Sequence, residues 1–408
     1  MYKKRAAEEI VLKLSRSFPV ILLTGPRQVG KTTLFEHLSE KQKHSYVSLD
    51  EFEFRALAKS DPSLFLEKYP SPVIIDEIQY APQLLPYIKA KADKTKGKCS
   101  FWITGSQHFH LMKNVSESLA GRAAIINLLG FSQVEENTSF QSREPWIPKT
   151  VAPNQKYPAT NIYNLFKKIV RGSYPKLFIK NPPSIETFYG SYLQTYIDRD
   201  LRDLVRVGSL SSFEKFLRLC AARTGQMLNM SDIANDADIS VNTAKEWLSL
   251  LEASGHIYML KPYYKNITKR LVKTPKLYFL DTGLACYLTG WRTPETTSKG
   301  AMAGPLFETF ILSELIKSYW NRGEEAPLWF YRTKEKEEVD IVIDRDGLLH
   351  PIEIKLSVKI TEWDLKGIKS LKKTHSKIGK GAFISVTPKP YFISEDIEVV
   401  PYTVATLF

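Results

Sequence analysis

The chain has 408 residues, of which 43% are hydrophobic and 25% charged, and its formal net charge is +13. This length accommodates two or three domains, the composition is ordinary for a soluble globular protein, and no apolar run approaches the roughly 18 residues of a membrane span. The charge favours a polyanionic partner, nucleic acid before anionic lipid, although a basic, well-solvated surface explains it equally well.

The cysteines and the N-terminus bear on the cellular compartment. Cys99, Cys220 and Cys286 lie far apart and form no Cys-x-x-Cys pair, which fits a reducing compartment. The basic start MYKKRAAEEIVLKLSRSFPVILL runs directly into a glycine-rich loop, and its apolar part is short for a signal peptide. We therefore expect a helix followed by a strand, and a cytoplasmic protein.

Short apolar stretches alternate with helical patterns over residues 1 to about 135. The strand candidates are Pro19 to Leu23, Tyr46 to Leu49, Val73 to Ile75, Phe101 to Thr104 and Ala124 to Leu128. This alternation predicts a parallel sheet with helices on both faces.

A glycine-rich loop, GPRQVGKTT, follows the first predicted strand and precedes a helix, which is the context of a phosphate-binding loop. Lys31 is expected to neutralise the β- and γ-phosphates of ATP, and the Thr32 hydroxyl to bind Mg²⁺. The residues predicted to bind the nucleotide are Gly25, Pro26, Arg27, Gln28, Val29, Gly30, Lys31, Thr32 and Thr33.

Further catalytic candidates follow the next strands. In VIIDE, Asp76 is expected to hold Mg²⁺ and Glu77 to polarise the attacking water. A whole strand separates this motif from the loop, as in the additional-strand ATPases. Ser106, after the strand FWIT, is placed to sense the γ-phosphate. Arg122 in SLAGR is predicted to act as an arginine finger on a neighbouring subunit of a homo-oligomer; a surface salt bridge or a nucleic-acid contact explains it equally well.

Together, GPRQVGKTT, VIIDEIQ, TGS and SLAGR resemble the ATPase module of the AAA+ superfamily that opens a prokaryotic two-part family. Members of that family end in a domain similar to PD-(D/E)xK nucleases. The resemblance extends to RGSYPKL at residues 171–177 and TYIDRDLRDL at residues 195–204, although Ser173 stands where the family more usually has glycine.

The central part of the chain resembles a winged helix. Proline-rich residues 144–158 predict a loop or domain border, and helical residues 163–207 follow. In residues 229–260 we expect a helix capped by Ser231 and a second helix capped by Ser240. Val241, Ala244, Trp247 or Leu248, and Leu251 form the predicted buried stripe of the second helix, and Asn242, Thr243, Lys245 and Glu246 its outward face.

Residues 261–276 hold six lysine or arginine residues and no acid, which predicts a basic wing that contacts DNA phosphates. The alternative is that the winged helix packs against other protein segments.

The C-terminal part carries the Glu…Asp…Glu-x-Lys pattern of PD-(D/E)xK enzymes. Glu308 lies on a helix, Asp340 in the strand VDIVI, and Glu353 and Lys355 two positions apart on one face of the strand IEIK. Asp340, Glu353 and a backbone carbonyl suit Mg²⁺, and Lys355 suits the stabilisation of an attacking hydroxide. Two alternatives stay open: the fold only binds nucleic acid, or the acids pair structurally with Lys355.

These patterns predict an α/β protein in four parts: a P-loop AAA+ ATPase domain of additional-strand type with a parallel sheet (1–135), a proline-containing linker and helical region (136–208), a winged helix-turn-helix (209–295) and a restriction-endonuclease-like α/β domain (296–408). The predicted function is Mg²⁺-dependent ATP hydrolysis that controls a DNA-binding and DNA-cleaving C-terminal region. The alternative is a nucleotide-switched regulator that binds DNA or protein and has an inert nuclease fold.

Overall fold

The computed structural model describes residues 2–94, 100–105, 118–138, 144–149, 161–196, 210–264 and 274–407. Several predicted features lie outside these ranges. They are Ser106, Cys99, residues 265–273 of the basic wing, residues 197–207 of the central helical stretch, and residues 150–158 of the proline-rich segment.

Five parallel strands form the N-terminal sheet, in the order β2-β3-β4-β1-β5. Their bounds are β1 Val20–Thr24, β2 Ser45–Ser48, β3 Val73–Asp76, β4 Phe101–Gly105 and β5 Ala123–Asn127. The five predicted strands are thus confirmed to within one or two residues. Strand β4 lies between β1 and β3, so the sheet has the added strand that the spacing of the two motifs predicts.

Helices cover both faces of this sheet, as alternating strands and helices require. They are α1 Glu8–Leu14, α2 Lys31–Gln42, α3 Phe52–Ser60, α4 Pro62–Lys68 and α5 Leu84–Lys94, and the short α6 Gln133–Glu136 follows β5.

The central region consists of helices and a small antiparallel sheet in the order β6-β8-β7. The helices are α7 Ile162–Arg171, α8 Ile185–Tyr196, α9 Leu210–Ala222, α10 Met230–Asp236 and α11 Val241–Ala253, and the strands are β6 Gln226–Met227, β7 Ile257–Leu260 and β8 Lys276–Phe279. Helices α12 Thr282–Thr289 and α13 Pro294–Lys299 follow.

Two details of the predicted helix pair are wrong. Helix α10 is capped by Asn229, whose side chain accepts from the Asp232 N–H, because Ser231 already lies inside the first turn. The side chain of Val241 is 37% exposed, whereas Ala244, Trp247, Leu248 and Leu251 are buried as predicted. The Ser240 cap of α11 is confirmed, since its side chain accepts from the Thr243 N–H.

The C-terminal region packs helices against a six-stranded mixed sheet in the order β13-β14-β12-β11-β10-β9. Its elements are α14 Ala303–Trp320, β9 Leu328–Arg332, β10 Glu338–Arg345, β11 Leu348–Lys355, α15 Lys366–Thr374, β12 Gly381–Ser385, β13 Tyr391–Ser394, β14 Ile397–Pro401 and α16 Tyr402–Thr406. Strands β11, β12 and β14 are parallel, and the remaining neighbours are antiparallel.

Helix α14 lies inside the largest hydrophobic cluster, which contains residues of the N-terminal sheet, the central helices and the C-terminal sheet. Most of its side chains are buried, including the polar Glu314 and Lys317. A helix that is apolar around its whole circumference is stable only in such surroundings. Among the helices that the structure describes, none is long and apolar enough to cross a membrane.

Candidate functional sites

The glycine-rich loop joins the carboxyl end of β1 to the first residue of α2. Gly25 and Gly30 have φ angles of +139° and +90°, which side-chain-bearing residues rarely adopt. A Cβ atom on Gly25 would lie 2.0 Å from the Leu128 carbonyl oxygen, so only glycine fits there. A glycine-rich loop that leads into a helix N-terminus is a suitable site for phosphate, because the first N–H groups of a helix have no partner within the helix.

Lys31 begins helix α2 and is folded back over the loop. Its ammonium donates to the carbonyl oxygens of Gly25 at 3.0 Å and Pro26 at 2.8 Å, and the side chain is only 6% exposed. The positive charge is thus already inside the loop, where bound phosphate would offer it stronger, charged acceptors.

Asp76, at the carboxyl end of β3, is the centre of a hydroxyl cluster. One carboxylate oxygen accepts from Thr32 at 2.9 Å and from Thr104, and the other accepts from the Tyr46 hydroxyl at 3.1 Å. Burial and the nearby Asp76 carboxylate raise the pKa of Tyr46, so its phenol stays a donor. The Thr32 and Asp76 oxygens are hard donors placed side by side, and they fit a magnesium ion.

Glu77 follows Asp76 in the left-handed conformation, with φ +57°. Its N–H donates to the Thr104 hydroxyl at 3.1 Å, and its carboxylate accepts from the Gln79 amide. This turn directs the two neighbouring acids differently, Asp76 toward Thr32 and Glu77 toward Gln79. Thr104 and Tyr46 were not predicted, although the position of Thr104 at the carboxyl end of a predicted strand was a usable signal.

Arg122 lies at the amino ends of the strands, whereas the glycine-rich loop lies at their carboxyl ends. Strands β1 and β5 are parallel and pair Val20 with Ala123, so Arg122 is level with the start of β1. Its guanidinium forms a half-exposed ion pair with Asp93 at 3.0 Å. Arg122 therefore cannot reach the loop of its own chain, and action on a neighbouring subunit stays a prediction.

Arg5 supports the loop from behind, and sequence reasoning gave no sign of it. Its buried guanidinium donates to the Val29 carbonyl at 2.7 Å, the Leu129 carbonyl at 2.7 Å and the Glu135 carboxylate at 2.9 Å. One side chain thus joins the loop to the segment after β5.

An acidic cluster lies where the central and C-terminal regions meet. It contains Glu308 on α14 and Asp340 on β10, as predicted, and also Glu338, which was not predicted. In the middle of these acids is Lys276 of β8, whose Nζ lies 2.5 Å from Glu338, 3.2 Å from Glu308 and 3.9 Å from Asp340. The assignment of Lys276 to an exposed basic wing is therefore wrong, since it is 3% exposed.

Glu353 is buried beside this cluster, and Lys355 lies further along the same strand. Burial, with a further contribution from Asp340, raises the pKa of Glu353 well above its usual range. Asp340 accepts from the Ile354 N–H at 2.8 Å. Burial and Asp340 likewise raise the pKa of Glu308 to about 7.

This arrangement does not fit a divalent cation. A magnesium ion needs about six oxygen ligands in near-octahedral geometry. Here an ammonium lies among the carboxylates, and the described part of the chain contains no group of three or more acidic, histidine or cysteine side chains arranged to hold a metal. Asp340 and Glu353 as metal ligands remain a prediction without support from this geometry.

The residues of α11 that were predicted to read DNA are mostly exposed. Asn242, Lys245 and Glu246 are exposed and Thr243 is half-buried. Lys261, after β7, is also exposed. DNA contact through these residues stays a prediction.

Three family models match the chain. Residues 17–136 match one described as an AAA domain, residues 162–295 match a domain of unknown function (DUF8612), and residues 303–404 match a domain of unknown function (DUF4143). The description of the C-terminal match does not mention a nuclease, so that assignment stays a proposal.

Two mycobacterial proteins are similar over most of the chain: the uncharacterized protein Mb2031c of Mycobacterium bovis and the uncharacterized protein Rv2008c of Mycobacterium tuberculosis. Each is 29% identical over 355 residues, which cover 86% of this chain and 74% of the relative.

Among solved structures, a Walker-type ATPase of Pyrococcus abyssi is 14% identical, with a TM-score of 0.43, over 71% of this chain and 96% of that chain. The RuvB Holliday junction branch migration motor of Thermotoga maritima is 16% identical, with a TM-score of 0.30, over 62% and 89%. The phosphate loop, the strand order of the sheet and the family match together show that the chain contains a P-loop ATPase domain of the AAA type.

Proposed function

We propose that this protein binds and hydrolyses Mg-ATP and uses its nucleotide state to control a DNA-binding surface in its central and C-terminal regions. The observation that carries the proposal is the 2.9 Å contact of Thr32 with Asp76 beside the Lys31 ammonium. These groups supply the magnesium ligands and the phosphate counter-charge of a nucleotide triphosphatase.

Backbone and side-chain groups have separate roles in the proposed hydrolysis. The loop N–H groups and Lys31 would bind the phosphates, Thr32 and Asp76 would bind Mg²⁺, and Glu77 would take a proton from the attacking water. When bound, Mg²⁺ neutralises charge on the phosphate oxygens. The Thr104 hydroxyl donates to the Asp76 carboxylate and accepts from the Glu77 backbone N–H, and so fixes the turn between the two acids.

Contact between the loop and the central region supports the proposed control. A Cβ atom added to Gly255, in the turn before β7, would lie 2.9 Å from Cδ of Pro26. A nucleotide that shifts the loop would therefore press on the turn that joins α11 to β7, and α11 carries the proposed DNA face.

The test is ATP turnover with and without DNA, in wild type, Lys31→Ala and Glu77→Gln. Exposed Lys59→Ala and Glu67→Gln are the matched controls. We expect both site variants to lose turnover, the controls to retain it, and DNA to raise the wild-type rate. An ATP turnover rate that is the same with and without DNA would refute the proposed control, but not the proposed ATP hydrolysis.

The second candidate function is a regulator whose nuclease-like fold does not cut. Lys276 in the acidic cluster favours it over phosphodiester cleavage. Nicking of plasmid DNA with Mg²⁺, compared with Asp340→Ala, distinguishes the two. Absent nicking together with ATP-dependent band shifts supports the regulator, and nicking that Asp340→Ala abolishes supports the nuclease.

A further inference from the structure

We propose that Lys276 is a built-in counter-ion that takes the place of a metal cation, so that the acidic cluster is an ionic joint between the central and C-terminal regions. While β8 is in place, the joint excludes divalent cations. The inference concerns the cluster alone and does not rest on ATP hydrolysis.

The ammonium is positioned by its backbone as well as by its charge. Lys276 pairs with Leu260 of β7 on one side and Met227 of β6 on the other, so its Cα is fixed in the middle of a sheet. Tyr278, two residues further along β8, donates its hydroxyl to Glu308. Strand β8 therefore presents two donors to the same carboxylate.

Most of the carboxylate oxygens already have a donor. Glu308 accepts from Tyr278 and Lys276, and the two oxygens of Glu338 bind Lys276 at 2.5 Å and Arg332 at 2.9 Å. Asp340 accepts from a backbone N–H. A divalent ion would have to replace most of these donors at once, with the lysine still beside it.

The charges favour retention of the lysine. Burial alone would lower the pKa of Lys276, but Glu308, Asp340 and Glu338 outweigh that effect and hold its pKa above the ordinary value. Removing the ammonium would leave these three acids without their shared cation. In a half-buried site that arrangement is strongly unfavourable, unless another cation enters.

The test is calorimetric titration of the full chain with Mn²⁺. All proteins carry Asp76→Asn, which removes the carboxylate proposed to bind Mg²⁺ at the ATP site. The comparison is between Lys276 intact, Lys276→Met, and Lys276→Met combined with Asp340→Asn, with exposed Lys299→Met as the matched control.

We expect no Mn²⁺ binding with Lys276 intact or with Lys299→Met. Lys276→Met should make Mn²⁺ binding measurable, a gain in affinity of at least about 100-fold, because it removes a unit positive charge about 4 Å from the ion in a partly buried site. Asp340→Asn should abolish that gain. A folded Lys276→Met protein that binds no Mn²⁺ would overturn the proposal.

Lys276→Met can fail to fold because it leaves the acids unpaired. Lys276→Met/Glu338→Gln then serves as the second variant, since it removes one charge of each sign, and it should fold and bind Mn²⁺. If neither variant folds, the Mn²⁺ titration of the protein with intact Lys276 tests the proposal. No Mn²⁺ binding by that protein supports the ionic joint. Mn²⁺ binding that Asp340→Asn removes contradicts it.

Discussion

Arg5 shows how a residue outside the phosphate loop can shape it. Its guanidinium bonds to the Val29 carbonyl inside the loop and to Glu135, which is fully buried. We expect Arg5→Met to lower ATP affinity about tenfold, because a loop carbonyl loses a charged donor worth roughly 1.5–3 kcal/mol. It should also destabilise the fold by about 3–5 kcal/mol, because Glu135 loses its partner.

The variant Arg5→Met/Glu135→Gln separates these two effects. It should recover most of the stability and little of the ATP affinity, measured by urea unfolding and by nucleotide titration. Arg218→Met, which removes a half-exposed pair with Glu214, is the matched control. Recovery of ATP affinity together with stability would reduce Arg5 to a structural role.

His256 makes stability depend on pH. It is buried between the Tyr192 hydroxyl at 2.8 Å and the Ser254 hydroxyl at 2.7 Å, and burial lowers its pKa from 6.5 to about 3. Below pH 6.5 the unfolded chain binds a proton that the folded chain does not, so stability falls as the pH falls. The slope for one group is about 1.4 kcal/mol per pH unit.

We therefore expect the urea midpoint of the wild type to fall between pH 7 and pH 5 by more than that of His256→Gln. Glutamine retains a donor and an acceptor but does not titrate in this range. Equal pH dependence of the two proteins would show that His256 is charged in the folded state or that other groups dominate.

At the scale of single residues, the sequence predicted what lies within one motif. Lys31, Thr32 and Asp76 were found because each motif is contiguous and its context is local. Lys276 was misassigned because its partners on α14 and β10 are far away in the sequence, the nearer being 32 positions on. In the sequence, Lys276 cannot be distinguished from the other basic residues of its stretch, because its acidic partners become neighbours only in the fold.

At the scale of the elements, helix α10 offers a direct test of cap assignment. Asn229 accepts from the Asp232 N–H, and exposed Ser231 lies within the helix. We expect Asn229→Ala to reduce the free energy of unfolding by about 1 kcal/mol, and Ser231→Ala to change it by less than about 0.5 kcal/mol. Urea unfolding of both variants measures the two losses. A larger loss in Ser231→Ala than in Asn229→Ala would show that Ser231 is the cap.

The same helix explains which elements were predictable. The five strands of the N-terminal sheet are short apolar runs between polar stretches, so composition alone located them. The start of α10 was missed by two residues because Asn229 and Ser231 are both good caps, and only the backbone selects one. The six-stranded C-terminal sheet mixes parallel and antiparallel neighbours, and its order depends on long-range packing that local patterns do not specify.

At the scale of the whole molecule, α14 joins both ends of the chain. Glu308 near its start enters the acidic cluster. Further along the same helix, Glu314 accepts from the Gln133 N–H at 2.7 Å, and Lys317 donates to the Phe131 carbonyl at 3.1 Å. The hydrophobic cluster around α14 is continuous from the N-terminal sheet to the C-terminal sheet. The family matches divide the chain into three segments, but its core does not follow that division.

A continuous core predicts that nucleotide binding stabilises the whole chain together. With a non-hydrolysable ATP analogue and Mg²⁺ at 100 times Kd, the gain is about 2.7 kcal/mol, which for a chain of this size raises Tm by about 3 °C. We expect calorimetry to show one heat-absorption peak that shifts as a unit in wild type and does not shift in Lys31→Ala. Two peaks of which only one shifts would mean that the N-terminal sheet unfolds independently, and α14 would then be a contact surface between separate domains instead of their common core.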